Sequence, residues 1–152
     1  GGIGIYGMQP DLPAGVKKPD LKQAISLKGR ITNIHEAEPE EGVSYSHTFI
    51  TRGKTKIATI PMGYADGVPR CLSNKIFGLI NGQKVPQIGN ITMDQMRLDI
   101  TGLNVSEGDV ITLLGADGGE FISVDEWANL LHTINYELTC RLKVRLSRVY
   151  TR

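Results

Sequence analysis

Eighteen glycines and seven prolines cut this 152-residue chain into short segments, and punctuation of that density favours short strands joined by turns. Between the breaks, apolar and polar residues alternate. Ile25, Leu27, Gly29, Ile31 and Asn33 open a strand that runs to about residue 37 with one face buried. Pro39-Glu40-Glu41-Gly42 reads as a turn. Residues 56–62 read as a second strand, and Pro61, which has no N–H for a ladder, marks its end or a sheet edge. Ile76 to Ile80, then Asn81-Gly82, then Gln83-Lys84-Val85 is a hairpin signature, because Asn-Gly accepts the positive φ values of a type I′ turn. Residues 91–100 and 109–114 are further strands, and Leu142, Val144, Leu146 and Val149 close the chain in strand-like alternation. Only Ser123-Val124-Asp125-Glu126 opens a helix, with Ser123 and Glu126 spaced for a capping box and Trp127, Leu130 and Leu131 on one face. The expected fold is therefore mainly β: a small β-barrel-like domain with one short α-helix near residues 124–132.

Composition narrows the function classes. Seventeen basic residues against sixteen acidic ones leave no electrostatic footprint for nucleic acid or an anionic membrane. Two cysteines, Cys71 and Cys140, are too few for a disulfide scaffold, and the three histidines have no metal-ligand spacing, so no metal site is expected. No apolar run approaches the roughly 20 residues that span a bilayer, and a cytoplasmic location is the default expectation. Gly2-Ile3-Gly4-Ile5-Tyr6-Gly7 reads as the end of a domain rather than its beginning. The segment rich in proline and glycine that follows reads as a connector, giving a boundary near residue 20 and a main domain over 21–152.

Four segments carry residues suited to chemistry, and each admits two readings. Tyr45, in Val43-Ser44-Tyr45-Ser46-His47, is either a half-buried packing tyrosine or a base. A phenol ordinarily holds its proton to about pH 10, so the second reading needs a cation or strong donor beside it. Gly63-Tyr64-Ala65-Asp66-Gly67-Val68-Pro69-Arg70 is either a plain Asp-Gly turn or a loop in which Asp66 and Arg70 pair and direct Tyr64 at a pocket. At Thr92-Met93-Asp94-Gln95 the apolar pattern breaks, as a bulge with a structural Asp or as a turn whose backbone N–H groups face an anion. Tyr136, in Asn135-Tyr136-Glu137, packs or offers its hydroxyl to a phosphate or carboxylate.

In this order and spacing, the four segments resemble the C-terminal domain of alanine racemase, a fold-type III pyridoxal-phosphate enzyme. The resemblance runs essentially the whole length, to the terminal Arg145-Leu146-Ser147-Arg148-Val149-Tyr150. It implies that Tyr45 is the base for the α-proton on the L-alanine face. The lysine that holds the cofactor and serves the opposite face would lie in an upstream (β/α)8 barrel, with residues 1–20 as that barrel's tail and connector. Tyr64 would line the substrate pocket, and Met93 would offer its backbone N–H to the substrate carboxylate. Tyr136, with the backbone of Gly2 and Ile3, would hold the cofactor phosphate, and Tyr136 would narrow the passage beside Tyr45. Arg70 and Ile134 would line an outer access channel. The partners implied are alanine, the barrel of the same chain and the barrel of a second subunit in a head-to-tail dimer. The biological role implied is supply of D-alanine for peptidoglycan.

Some positions depart from the family pattern. Asn90 stands where many members have Arg, Thr92 where many have Cys or Ser, and Val68 where Tyr often follows Gly-Tyr-Ala-Asp-Gly. Tyr136 implies a preference for alanine, since a phenol there would crowd a serine hydroxymethyl group. A serine or broad-specificity racemase, a non-catalytic binding module and a domain that only dimerises are the competing expectations. The last of these predicts tyrosines buried in the core rather than displayed on loops.

Overall fold

The computed structural model of this protein describes residues 2–10 and 12–151. Gly1 and Arg152, the outer limits of the two expected domains, and Asp11 of the connector lie outside the described residues. Ten strands form among those described: β1 (Leu27–Arg30), β2 (Asn33–Ala37), β3 (Gly42–Val43), β4 (Phe49–Ile50) and β5 (Thr55–Ile60) in the first half of the chain. β6 (Phe77–Ile80), β7 (Gln83–Ile88), β8 (Met96–Asp99), β9 (Val110–Asp117) and β10 (Glu120–Ile122) follow. The chain then forms two helices, α1 (Val124–Leu130) and α2 (Asn135–Arg141).

The main sheet runs β1-β9-β6-β7-β8-β5-β2, with β10 paired to β9, while β3 and β4 form a separate hairpin. β7 joins the two halves. Its residues Gln83 to Pro86 pair with β6, whereas Gln87 and Ile88 pair with β8. At the far ends of the path lie β1 and β2, neighbours in sequence with no ladder between them. The chain crosses from one end to the other at Ile31-Thr32, where Ile31 N–H donates to Asp109 (2.9 Å) and Thr32 N–H to Thr59 (3.0 Å). The single strand expected to run to residue 37 is therefore two strands. The sheet wraps like a barrel but does not close.

The wrapped sheet encloses the larger of two apolar clusters among the described residues, in which Ile60, Leu79, Leu98, Ile111 and Leu113 are fully buried beside Trp127 of α1; Ala37, Val43, Ile57 and Ile88 form the smaller one. Burying each such side chain contributes about 1.5–3 kcal/mol. Gly78 makes room for that packing: a Cβ there would lie 2.6 Å from Ile111 Cγ2 and 2.7 Å from Leu98 Cδ2. The Asn81-Gly82 turn has φ of 52° and 71°, as the hairpin signature requires. In the capping box, Glu126 N–H donates to Ser123 Oγ (3.1 Å) and Ser123 N–H to Glu126 Oε2 (2.6 Å).

Three expectations are corrected. The strand expected over residues 91–100 shrinks to β8, because residues 92–95 close a turn through Thr92 N–H to Gln95 O (2.9 Å) and Gln95 N–H to Thr92 Oγ1 (3.2 Å). The C-terminal alternation makes no strand. Its backbone bonds go to the Asp66 loop (Lys143 N–H to Asp66 O, 3.3 Å) and to a local turn (Leu146 N–H to Lys143 O, 3.2 Å). A second helix, α2, was missed because Ile134 at its N-cap offers no side-chain acceptor. Buried Leu138 and the Glu137–Arg141 pair hold that helix instead. Among the described residues, no helix is long and apolar enough to cross a membrane, and no three His, Cys, Asp or Glu side chains gather as a metal-binding group.

Candidate active site

Three loops converge on one open groove at the end of the sheet where β5 finishes and β8 begins. The turn after β3 brings Ser44 and Tyr45, the loop after β5 brings Tyr64 and Arg70, and the segment before β8 brings Asn90 to Gln95, with Arg97 on β8 itself. Tyr45 is 76% exposed, Tyr64 42% and Met93 54%, so none of them belongs to the core. That display on loops opposes the expectation of a domain whose tyrosines are buried for packing.

The Tyr64 and Met93 loops are bonded face to face. Tyr64 N–H donates to Thr92 O and Ala65 N–H to Met93 O, both at 3.0 Å. Gly63 permits this approach, since a Cβ at that position would lie 2.0 Å from Thr92 O. Met93 lines the groove, and its N–H has no acceptor among the described residues. It is the kind of unclaimed backbone donor that a carboxylate takes up.

The electrostatics differ from the expectation that Asp66 pairs with Arg70. Buried Asp66 accepts Gly63 N–H on Oδ2 (2.9 Å) and faces Arg145 Nε from Oδ1 (2.8 Å). Arg145 also donates to Asp94 Oδ1 from Nη2 (2.9 Å), which ties the Tyr64 loop to the Met93 loop. The Asp94 hydrogen bond, and then the Asp66 charge, raise the Arg145 guanidinium above its already high ordinary value. This clamp was missed from sequence, because 79 positions separate Asp66 from Arg145 and no local pattern links them. Arg70 stays in the groove and, with Arg97, supplies cationic groups that have no acidic partner among the described residues. Arg97 was not singled out by sequence, where it reads as an ordinary strand residue.

The turn carrying Tyr45 is strained. Ser44, Ser46 and His47 have φ of 66°, 61° and 44°, each costing a non-glycine residue roughly 1–2 kcal/mol. Ser44 Oγ donates to Asn90 O and Asn90 Nδ2 donates to Tyr45 O, both at 2.8 Å. Asn90, noted in the sequence only as a departure from Arg, is thus a buried neighbour of the Tyr45 backbone.

Tyr136 and Ile134 do not join this groove. They line a second one with Met8, Gln9, Lys22, Gln23 and Asn129. Asn135 Nδ2 fixes its floor by donating to Gln9 O (3.0 Å) and Asp125 Oδ1 (2.9 Å). Gly2 and Ile3 lie in the 3-10 turn at Gly2–Tyr6 that leads into this second groove, but they do not line it, and the Ile3 side chain is buried in the core. Tyr136 is 40% exposed with no partner for its hydroxyl among the described residues. Gly2 has φ of 56° and open space where a Cβ would be. A free phenol and an uncrowded backbone are donor types that suit a phosphate. Tyr45 and Tyr136, expected side by side, thus line two different grooves of one chain.

The family model described as "Alanine racemase, C-terminal domain" matches residues 24–150. Among curated relatives, an alanine racemase of Nostoc is 47% identical over 97% of this chain, and one of Methanococcus maripaludis is 43% identical over 98%. Among solved structures, alanine racemase of Bacillus anthracis with bound L-Ala-P superposes with a TM-score of 0.91 at 36% identity over 99% of the chain. That of E. faecalis gives 0.86 at 32% over 95%. The chain spans only 38% of the Nostoc relative, 40% of the Methanococcus relative and 39% of the Bacillus structure.

Proposed function

The chain belongs to the alanine racemase family, as its C-terminal domain, and on that premise we propose that it completes a pyridoxal-phosphate-dependent active site that interconverts L- and D-alanine. One observation carries this reading. Tyr45 and Tyr136 line separate grooves of the same domain, which supports a reading in which the two grooves serve two different barrels. Each domain then serves two sites. Its Tyr136 groove faces the barrel of its own chain, and its Tyr45 groove faces the barrel of a second subunit.

When bound, pyridoxal phosphate supplies an electron sink that stabilises negative charge at the substrate α-carbon. This chain supplies the positioning and one proton carrier. Racemisation needs proton carriers on both faces of the α-carbon, because a single base returns the proton to its own side. Tyr45 takes and returns the α-proton on the L-alanine face through its hydroxyl oxygen. Arg70 and Arg97 line the same groove as Tyr45. Met93 N–H donates to the substrate carboxylate and holds the α-carbon in front of Tyr45, while Tyr64 walls the pocket and excludes water. On the other groove, the Tyr136 hydroxyl donates to the cofactor phosphate, and the backbone N–H groups of Gly2 and Ile3, in the turn that leads into that groove, serve the same phosphate from outside its lining. Arg70 and Ile134 line the way in.

The second base and most of the cofactor cradle belong to the barrel, so the domain alone is expected to be inactive. The test joins this chain to an upstream (β/α)8 barrel of roughly 200–250 residues and follows exchange of the alanine α-proton with solvent. Tyr45→Phe is expected to abolish most L-to-D turnover, and an unchanged rate removes the base role. L-serine is expected to turn over far more slowly than L-alanine because of Tyr136, and equal rates contradict that assignment. Supply of D-alanine for the cell wall is the role this activity fits.

A further inference from the structure

The hydrogen bonds around Tyr45 are more elaborate than a surface turn requires. Its carbonyl accepts from Asn90 Nδ2, while the residue before it, Ser44, donates its hydroxyl back to the Asn90 carbonyl, both at 2.8 Å. The bonds are reciprocal, so Asn90 and the Ser44-Tyr45 pair cannot slide past one another without losing both. The other end of the turn is tied as well, because Asn74 Nδ2 donates to Thr48 Oγ1 (3.3 Å). Asn74 is fixed in turn: its Oδ1 accepts Gly89 N–H (2.6 Å), and its own N–H donates to the buried Gln87 Oε1 (2.7 Å). Gly89 brings these loops together, since a Cβ there would lie 2.7 Å from Val43 O. Asn90 itself is buried while Tyr45 stands 76% exposed. A buried amide thus spends its donor on the backbone of an exposed phenol whose neighbours are held at positive φ.

We propose that Asn90 is a positioning residue for Tyr45: its side-chain amide, reciprocated by Ser44, fixes the strained turn and so the direction in which the phenol crosses the groove. This rests on the reading of Tyr45 as a proton carrier. The chemistry explains why the bond matters. Transfer of a proton from carbon requires the accepting oxygen within hydrogen-bond reach of one face. A turn with three strained residues relaxes toward other backbone states when its staple is cut. Asn90 makes no contact with the α-carbon in this assignment and acts only through Tyr45.

Asn90→Asp keeps the side-chain shape but replaces the donor with a carboxylate oxygen that repels the Tyr45 carbonyl. Backbone 15N relaxation on this chain gives the first measurement. Residues 44–48 are expected to fall from an order parameter of about 0.85 to below about 0.6, with the order of the strands unchanged. The second measurement uses the full-length enzyme. Asn90→Asp is expected to lower exchange of the α-proton of L-alanine by about tenfold, with KM within about twofold and exchange of D-alanine less affected. Ser44→Ala, which removes the reciprocal bond from the other side, should give a smaller loss of the same kind. Unchanged order at residues 44–48 in both variants overturns the proposal. So does an equal loss of exchange from L- and D-alanine, which marks a merely structural residue. If Tyr45→Phe is fully active, the reading of Tyr45 fails on its own, and the relaxation result alone then decides whether Asn90 holds the turn.

Discussion

Gly63→Ala tests whether the groove depends on close approach of two backbones. Gly63 has φ of −150° and ψ of −155°, extended geometry that alanine adopts without strain. The obstacle is purely steric: the new Cβ would lie 2.0 Å from Thr92 O, 2.5 Å from Met93 O and 2.6 Å from Met93 C. All three are backbone atoms, and no flexible side-chain end can swing aside, so the Tyr64 and Met93 loops must separate. Overpacking of this kind costs about 1–3 kcal/mol. Separation also weakens the bonds from Tyr64 N–H to Thr92 O and from Ala65 N–H to Met93 O, each contributing about 0.5–1.5 kcal/mol. Against this, replacing glycine by alanine stabilises by about 0.4–1 kcal/mol through the unfolded chain. The net expectation is a loss of about 1–5 kcal/mol. Gly53→Ala is the control, because its Cβ meets nothing within 4 Å and its φ is not left-handed; it should be neutral or slightly stabilising. Urea unfolding followed by the fluorescence of Trp127, the only tryptophan and a buried one, measures both. A Gly63→Ala midpoint equal to or above that of Gly53→Ala refutes the close-approach reasoning.

Three other perturbations follow from the same structure. Asp66→Asn should lower the urea midpoint by removing the charge that faces Arg145, and Asp66→Ala should lower it further by also stripping the acceptor from Gly63 N–H; equal midpoints would contradict this ordering. Leu98→Ala, at a fully buried position in the sheet, should cost about 2–5 kcal/mol in the same assay, and a loss under about 1 kcal/mol would show that the core closes over the gap. Glu137 is held below its ordinary value of 4.5 by the Thr133 hydroxyl first and by Arg141 second. A depressed carboxylate stabilises the fold fully above its unfolded value and loses that contribution as pH falls through the folded value. Helix α2 should therefore begin to loosen below about pH 4.5. Thr133→Ala should move the Glu137 titration upward in carboxyl 13C spectra, and an unmoved titration removes the Thr133 contribution.

The elements legible in the sequence were those fixed by local chemistry. Asn81-Gly82 specifies its turn through backbone conformation alone, and Ser123 with Glu126 specifies the start of α1 through two short-range bonds. The C-terminal alternation misled because alternation records only which residues face inward. Leu142 and Leu146 do pack against the core, but from a loop whose backbone bonds go to the Asp66 segment rather than to a ladder. Tyr45, Tyr64, Met93 and Arg70 were legible as a set through their motifs, and the fold gathers them in one groove. Their supports were not. Arg145 reaches Asp66 and Asp94 across long stretches of chain, and Asn90 reaches Tyr45 over 45 positions. Such contacts exist only after the sheet has brought the loops together. The division of Tyr45 and Tyr136 between two grooves was equally invisible, since spacing along a chain does not encode which side of a domain a loop faces.

That division underlies the central claim, that the domain lends Tyr45 to the site of a second subunit. The most direct measurement mixes two inactive forms of the full-length enzyme. One carries Tyr45→Phe, and the other lacks the barrel lysine that holds the cofactor. If sites are shared, a mixed dimer contains one complete site, built from the intact barrel of the first subunit and the intact Tyr45 of the second. Unfolding and refolding the forms together should then restore alanine racemisation, while each form alone stays inactive. If mixed dimers form and remain inactive, Tyr45 serves the barrel of its own chain and the account is wrong.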